Sequence, residues 1–278
     1  MTVEGRGVQS IEVGGRILVA LIEFGQPTML RDLAARAGMT SAQAHAYLVS
    51  YRKLGLVEQD PASGRYFLGP LALQLGLVRM RGTDPLRMAS TVATDISEKT
   101  GYMVTVSVWG PHGPTIIQVH EAIYPVHVNL RAGALYTLTG TATGRLFAAL
   151  YPLESVRTLL AREMRAEQKG QHLPSAKSRQ AFAEDFEEIR RQGYATTEGV
   201  PVPGINAVSV PVFDQSQKMQ FAMTAIGPNS ELDVRPGSAN MLAVIETINR
   251  LSDQLGYRPD LGNRTAAPKP KARARQKA

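Results

Sequence analysis

The chain has no cysteine in 278 residues. That absence excludes disulfide frameworks, thiolate zinc sites, iron–sulfur clusters and a cysteine nucleophile together, and a reducing, cytoplasmic location is the expectation. Aromatic residues are scarce at 6%, with a single tryptophan. No apolar run nears the roughly 20 residues needed to cross a bilayer. The opening MTVEGRGVQS lacks the basic-then-apolar layout of an export signal, so no membrane partner is expected. What is present is a 44% apolar composition, enough to bury a substantial core in one or two domains.

The net charge of +7 is unevenly placed. Residues 264–278 hold six basic side chains and no acid, whereas residues 1–80 carry +2 and residues 81–263 carry −1. The tail also contains Pro268 and Pro270, and no large apolar residue follows Leu261. Such a segment reads as disordered. It serves either solubility or a non-specific attraction to phosphate.

Helical periodicity runs first over residues 11–24, with Ile11, Ile17, Leu18, Leu21 and Ile22 on one face. Thr28 is placed to cap a second helix through Ala37, which Gly38 closes. A third helix spans about residues 41–54, with Ala44, Leu48, Tyr51 and Leu54 inward. Two short helices around a glycine turn form a helix-turn-helix. Two strand-like runs, LVEQ and RYFL, then flank the turn Asp60-Pro61-Ala62-Ser63-Gly64. A hairpin directly after such a helix is a winged helix, and its tip presents Arg65 to a phosphate or the minor groove.

Residues 70–80, PLALQLGLVRM, are apolar with little polar surface, which predicts packing against a neighbour or a second subunit. An amphipathic helix over residues 84–99 places Leu86, Met88, Val92 and Ile96 inward. Strand-like runs follow at 103–109, 115–119 and 126–130, then helical segments at about 142–151, 153–165 and 175–192. Strands return at 194–197, 207–213 and 220–226, and a closing helix covers 238–256. Grouped strands with flanking helices predict an α+β domain around one antiparallel sheet. The run Leu138-Thr139-Gly140-Thr141-Ala142-Thr143-Gly144-Arg145 opens a helix. Its free N–H groups suit an anion such as a carboxylate; the alternative is a well-chosen helix cap. Its spacing does not fit a P-loop.

No catalytic constellation stands out, and no cofactor is called for. His120 and His127, with Glu121, could nominally hold zinc across neighbouring strands. However, none of His45, His112, His120, His127 and His172 shows the i, i+4 spacing of metalloenzymes, so no metal is expected. Glu184, Asp185, Glu187 and Glu188, interleaved with Phe182, Phe186 and Ile189, read as a solvated helix face, and Trp109 reads as core or interface.

VQSIEVGGRILVALIEFGQPTMLRDLAARAGMTSAQAHAYLVSYRKLGLVEQDPASGRYFLGPLALQLG resembles the N-terminal domain of the IclR family of bacterial transcriptional regulators. RQGYATTEGVPVPGINAVSVPVFD resembles that family's effector-domain signature, so the likeness covers roughly residues 8–256. It implies a winged helix-turn-helix DNA-binding domain over 1–69, a linker helix over 70–82, and a GAF/PAS-like mixed-sheet effector-binding domain over 83–257. A basic tail over 258–278 completes the chain. The expected partners are double-stranded operator DNA, a small organic acid as effector, and further copies in a homodimer or tetramer. Repressor and activator remain equally open.

The departures from the family pattern matter. Where relatives open the recognition helix with a Pro-Lys-Ser-Thr-Val-His-Arg-like run, this chain has Thr40-Ser41-Ala42-Gln43-Ala44-His45-Ala46, and the usual arginine is Ala46. The DNA-contact candidates are Ser41, Gln43, His45 and Tyr47, with Arg52, Lys53 and Arg65 for phosphates. A Gln43 carboxamide can pair with adenine N6 and N7; otherwise it is a solvated helix residue. By family correspondence the effector pocket is lined by Ala142, Thr143, Thr197, Glu198, Ala207, Thr224 and Ile226. Relatives that bind small keto acids tend to carry a carboxylate at 197, a cysteine at 207 and hydroxyls at both last-strand positions. Only Thr224 keeps one here, so an aromatic or larger organic acid is favoured. The rival classes are a DNA-coating protein relying on its tail and an enzyme with a DNA-binding head.

Overall fold

A computed structural model describes residues 7–121, 128–168 and 179–259. Residues 264–278, His127, His172 and the first four residues of the helix expected at 175–192 lie outside that set. The described chain forms two compact units that divide after Thr83.

The first unit contains α1 (Gln9–Phe24), α2 (Leu30–Arg36), α3 (Ser41–Leu54), β1 (Val57–Gln59), β2 (Tyr66–Leu68) and α4 (Pro70–Arg81). Its core joins Ile17 and Leu21 of α1, Leu33 of α2, Ala44 and Leu48 of α3, and Val57 and Tyr66 of the hairpin. Burial of these apolar groups is what holds three short helices that are each too small to persist alone. Gly55 ends α3 at φ 76°, a left-handed conformation that lets the chain turn straight into β1.

Several sequence expectations need correction here. Ile11 is 71% exposed and Leu54 61% exposed, whereas Gly14 and Ala20 of α1 are buried and Ala44 and Leu48 of α3 are buried as expected. Ile22 is exposed as well. Thr28 does not cap α2, whose N-cap is Met29. Thr28 instead exchanges two backbone hydrogen bonds with Tyr66, at 3.0 and 2.8 Å, and adds a one-residue bridge to the hairpin.

The second unit contains α5 (Pro85–Thr100), β3 (Met103–Gly110), β4 (Gly113–His120), α6 (Ala142–Leu150), α7 (Leu153–Gln168), α8 (Arg179–Gln192), β5 (Ala195–Glu198), β6 (Ile205–Phe213), β7 (Met219–Pro228) and α9 (Ala239–Gln254). The five strands form one antiparallel sheet in the order β4-β3-β7-β6-β5. Strand alternation gives the sheet two different faces. Val104, Val106, Val208, Val210, Phe221 and Met223 pack with α5 and α9. The other face receives α6, with α8 behind it. Asp84 caps α5 by accepting from the amides of Leu86 and Arg87, both at 3.1 Å, while Leu86 itself stays exposed. Residues 128–130 form no strand; the edge of β4 is covered by residues 133–136 instead, where Ile116 donates to the Ala134 carbonyl at 2.9 Å.

Asp185 is the clearest departure from the solvated-face reading of α8. It lies three residues after the buried Phe182 and four before the buried Ile189, so helical spacing turns it inward. Arg145 of α6 donates through Nε to its Oδ2 at 2.6 Å and through Nη2 to Oδ1, while Nη1 reaches the Thr196 carbonyl at 2.8 Å. The side chains are 14% and 13% exposed, so this forked pair joins α6, α8 and β5 away from water. Removing one partner leaves a shielded, uncompensated charge. Asp185→Ala is expected to cost about 3 kcal/mol of unfolding free energy in urea titrations, against less than about 1 kcal/mol for the exposed Glu188→Ala.

Candidate DNA-binding face and effector cavity

The third helix starts on a reciprocal cap. Thr40 Oγ1 accepts from the Gln43 amide at 3.3 Å, and the Gln43 side-chain oxygen accepts from the Thr40 amide at 3.1 Å. Gln43 therefore commits its carbonyl oxygen to the helix start, and only Nε2 remains free to donate outward. Two-point pairing with adenine requires the cap to open, at about 1 kcal/mol. Ser41 and His45 are exposed beside it.

Tyr47 points elsewhere. It is half-buried, stacks on Tyr51 with ring centroids 6.5 Å apart, and lies against Gly14 of α1, where a Cβ would come within 2.7 Å of its ring. At the far end of α3, Arg52 donates to Gln59 Oε1 at 3.0 Å, and Gln59 Nε2 donates to the Gly64 carbonyl at 3.0 Å. Helix and hairpin tip are thus tied together. Arg65 donates to the Pro27 carbonyl at 3.1 Å, and Lys53 is exposed. Asp60 folds the tip by accepting from Ala62 and Ser63, and the Ser63 hydroxyl foremost holds its carboxyl below the ordinary range.

In the second unit a cavity of about 730 Å³ opens where α6 meets the sheet. Ala142, Thr143, Thr197, Ala207, Thr224 and Ile226, six of the seven residues carried over by family correspondence, line it together. Glu198 does not. It ends β5 with an exposed side chain, in the field of Arg235. The other walls come from irregular chain: Val128 and Leu130, which the alternation assigns to a strand, and Leu135, Tyr136, Val200 and Val202 among others. No charged side chain lines the cavity among the described residues.

Its polar floor is a buried chain of hydroxyls. Thr224 on β7 donates to Ser209 on β6 at 2.8 Å and meets Thr143 of α6 at 2.7 Å, while Tyr136 meets Thr105 of β3 at 3.0 Å. Burial pushes the Tyr136 hydroxyl up to about 12, against the pull of its bonds to Thr105 and Thr143, so it stays neutral at ordinary pH.

The start of α6 is crowded by design of its sequence. A Cβ on Gly144 would lie 1.8 Å from the Thr137 carbonyl oxygen, so only glycine lets the helix sit this close. Thr141 caps the helix by accepting from the Gly144 amide at 3.0 Å. The loop just before it already holds one carboxylate: Glu163 of α7 accepts from the amides of Leu138 and Thr139 at 3.0 and 3.1 Å. The amides of Ala142 and Thr143, in the first turn, bond no acceptor among the described residues. Helix cap and open amides are therefore both present. His120 bonds Thr94 through Nδ1 at 3.1 Å and its proton affinity is lowered by burial, and no cluster of three metal-ligating side chains occurs among the described residues.

Residues 10–61 match the family model described as the IclR helix-turn-helix domain, and residues 80–252 the one described as the C-terminal part of the bacterial transcriptional regulator IclR. The chain is 27% identical over 252 residues to the regulator BhcR of Paracoccus denitrificans, covering 89% of this chain and 88% of that one. It is 29% identical over 256 residues to the glycerol operon regulatory protein of Streptomyces griseus, covering 90% and 98%. Among solved structures, Pseudomonas aeruginosa HmgR is similar at a TM-score of 0.76 and 30% identity, over 91% of this chain and all (100%) of that one. The Agobacterium tumefaciens repressor BlcR shares the fold at a TM-score of 0.69 and 19% identity, over 91% and 100%. With both halves matched in order, the chain belongs to the IclR family and is a DNA-binding transcriptional regulator of that type.

Proposed function

We propose that this regulator grips double-stranded operator DNA through α3 and the hairpin, and that a small organic acid in the cavity of the second unit controls that grip on catabolic genes. The cavity carries the reading. Its walls are mostly apolar, its floor is hydroxyl-lined, and the open amides of Ala142 and Thr143 offer one place for a carboxylate. Nine aliphatic residues and a proline against five threonines and one tyrosine favour an aromatic or larger acid over one of two or three carbons. The glycerol operon regulator among the relatives supports control of carbon-source genes. The five-stranded sheet with helices on both faces supports the likeness to GAF and PAS sensor folds.

The reading extends to the residues and to assembly. Ser41, His45 and the Nε2 group of Gln43 face base edges, and Arg52, Lys53 and Arg65 face phosphates. Tyr47 contributes by setting α3 on α1 rather than by touching DNA. The helix α4 buries no residue within its unit and exposes Leu73, Leu75, Leu77, Val78 and Met80. A second copy covering that surface fits the two-fold use of helix-turn-helix heads, so a homodimer, or a tetramer built from it, is the acting form. The proposed divisions remain head 1–69, linker 70–82, effector domain 83–257 and tail 258–278, in a cytoplasmic protein.

Footprinting on the gene's own upstream region, with and without candidate aromatic and aliphatic acids, is the direct test. A protected site whose extent or affinity responds to an acid supports the reading; equal binding to any duplex, abolished by deleting residues 264–278, overturns it in favour of a DNA-coating protein. Thr143→Val and Thr224→Val should each weaken the effector's action about tenfold while leaving DNA affinity without effector unchanged, measured by calorimetry and gel shift. Lys53→Ala should weaken binding to all sequences alike and reduce the salt slope by about 1. Tyr136 gives a pH signature. Its folded-state value lies above the ordinary 10.0, so stability tied to its neutral form is intact below that pH and lost as pH climbs toward about 12. Tyr136→Phe should flatten that limb by roughly 2 to 3 kcal/mol, read from urea midpoints across the window.

A further inference from the structure

The outward strip of α3 is unusual in what it offers a base edge. Gln43 turns its carbonyl oxygen back to Thr40, and the Ser50 hydroxyl donates to the Ala46 carbonyl of its own helix at 3.3 Å. Two of the polar side chains on the exposed face are thus engaged with the helix itself. Between Ser41 and Lys53, that face also presents the methyl groups of Ala42 and Ala46, both exposed and four residues apart, beside His45. Four residues advance about 6 Å along a helix, close to two base-pair steps of about 3.4 Å.

In the major groove only thymine displays a methyl group, and small apolar side chains recognise it by contact. The short side chains also let the helix backbone come closer to the base edges than a long side chain would. Resting on the reading that α3 enters the major groove, we infer that Ala42 and Ala46 are specificity-determining residues that read the 5-methyl groups of two thymines about two base-pair steps apart in each half-site. Each contact removes one methyl from water on both partners. The discrimination comes from apolar burial, so it is insensitive to salt, unlike the phosphate contacts of Lys53 and Arg65.

The test starts from a duplex selected out of a random library by the full-length protein, in which each thymine is then replaced in turn by deoxyuridine. Deoxyuridine keeps every hydrogen bond and lacks only the methyl. Two positions in each half-site should each lose about fourfold in affinity, the factor that ~0.8 kcal/mol for a buried methyl represents. Ala42→Gly should erase the thymine preference at one position and Ala46→Gly at the other. The readout is a ratio of affinities for two duplexes, so partial unfolding of a glycine variant leaves it unmoved. Ala46→Ser, which retains the helix better than glycine, should also reduce the preference at its position. A selected site whose affinity ignores the thymine methyls, or whose methyl preference survives both alanine variants, overturns the proposal while leaving DNA reading by α3 intact. Failure to enrich any sequence overturns the reading on which it rests.

Discussion

The second unit is organised by how closely α6 can approach the chain that precedes it. Gly144 against the Thr137 carbonyl sets that distance, and the Arg145 fork to Asp185 and Thr196 holds the helix there from its other side. In this position Thr143 reaches Thr224 on the sheet face below it and joins two hydrogen-bonded strands to a helix start. The cavity lies beside this first turn, between the helix, the sheet and the irregular chain of residues 128–137 and 200–202. A buried hydroxyl floor of this kind is stable because every member named above has a partner.

Much of this was legible in the sequence, for identifiable reasons. Alternating valines at 104, 106 and 108 and at 208, 210 and 212 gave strands a period that only one face of a sheet satisfies. The glycine-and-proline turn at residues 60–64 placed the hairpin. What stayed hidden depended on contacts between distant segments. The cavity walls at Val128, Leu130, Leu135 and Val200–Val202 lie in irregular chain, and the alternation at Val128 and Leu130 suggested a strand that does not form. Thr28 looked like a cap because capping is a local property, whereas its pairing with Tyr66 spans the head. Asp185 looked solvated because acids neighbour it on both sides. Its phase relative to Phe182 and Ile189 was in the sequence all along, but only Arg145 gives an inward carboxylate a reason to be there.

The start of α3 places two demands on one side chain. A glutamine at the third position of a helix is an efficient cap, and the same carboxamide is an efficient adenine reader. Here the cap is made, by hydrogen bonds in both directions between Thr40 and Gln43, and it keeps the first turn of α3 well formed. In the proposed DNA reading, recognition then falls more heavily on groups that need no rearrangement.

The link from Arg52 through Gln59 to Gly64 ties the hairpin to α3, while Thr28 and Arg65 tie it to the chain before α2. A push on the hairpin is thus shared with the helices beside it, as torque on the bow of a key is shared with its teeth.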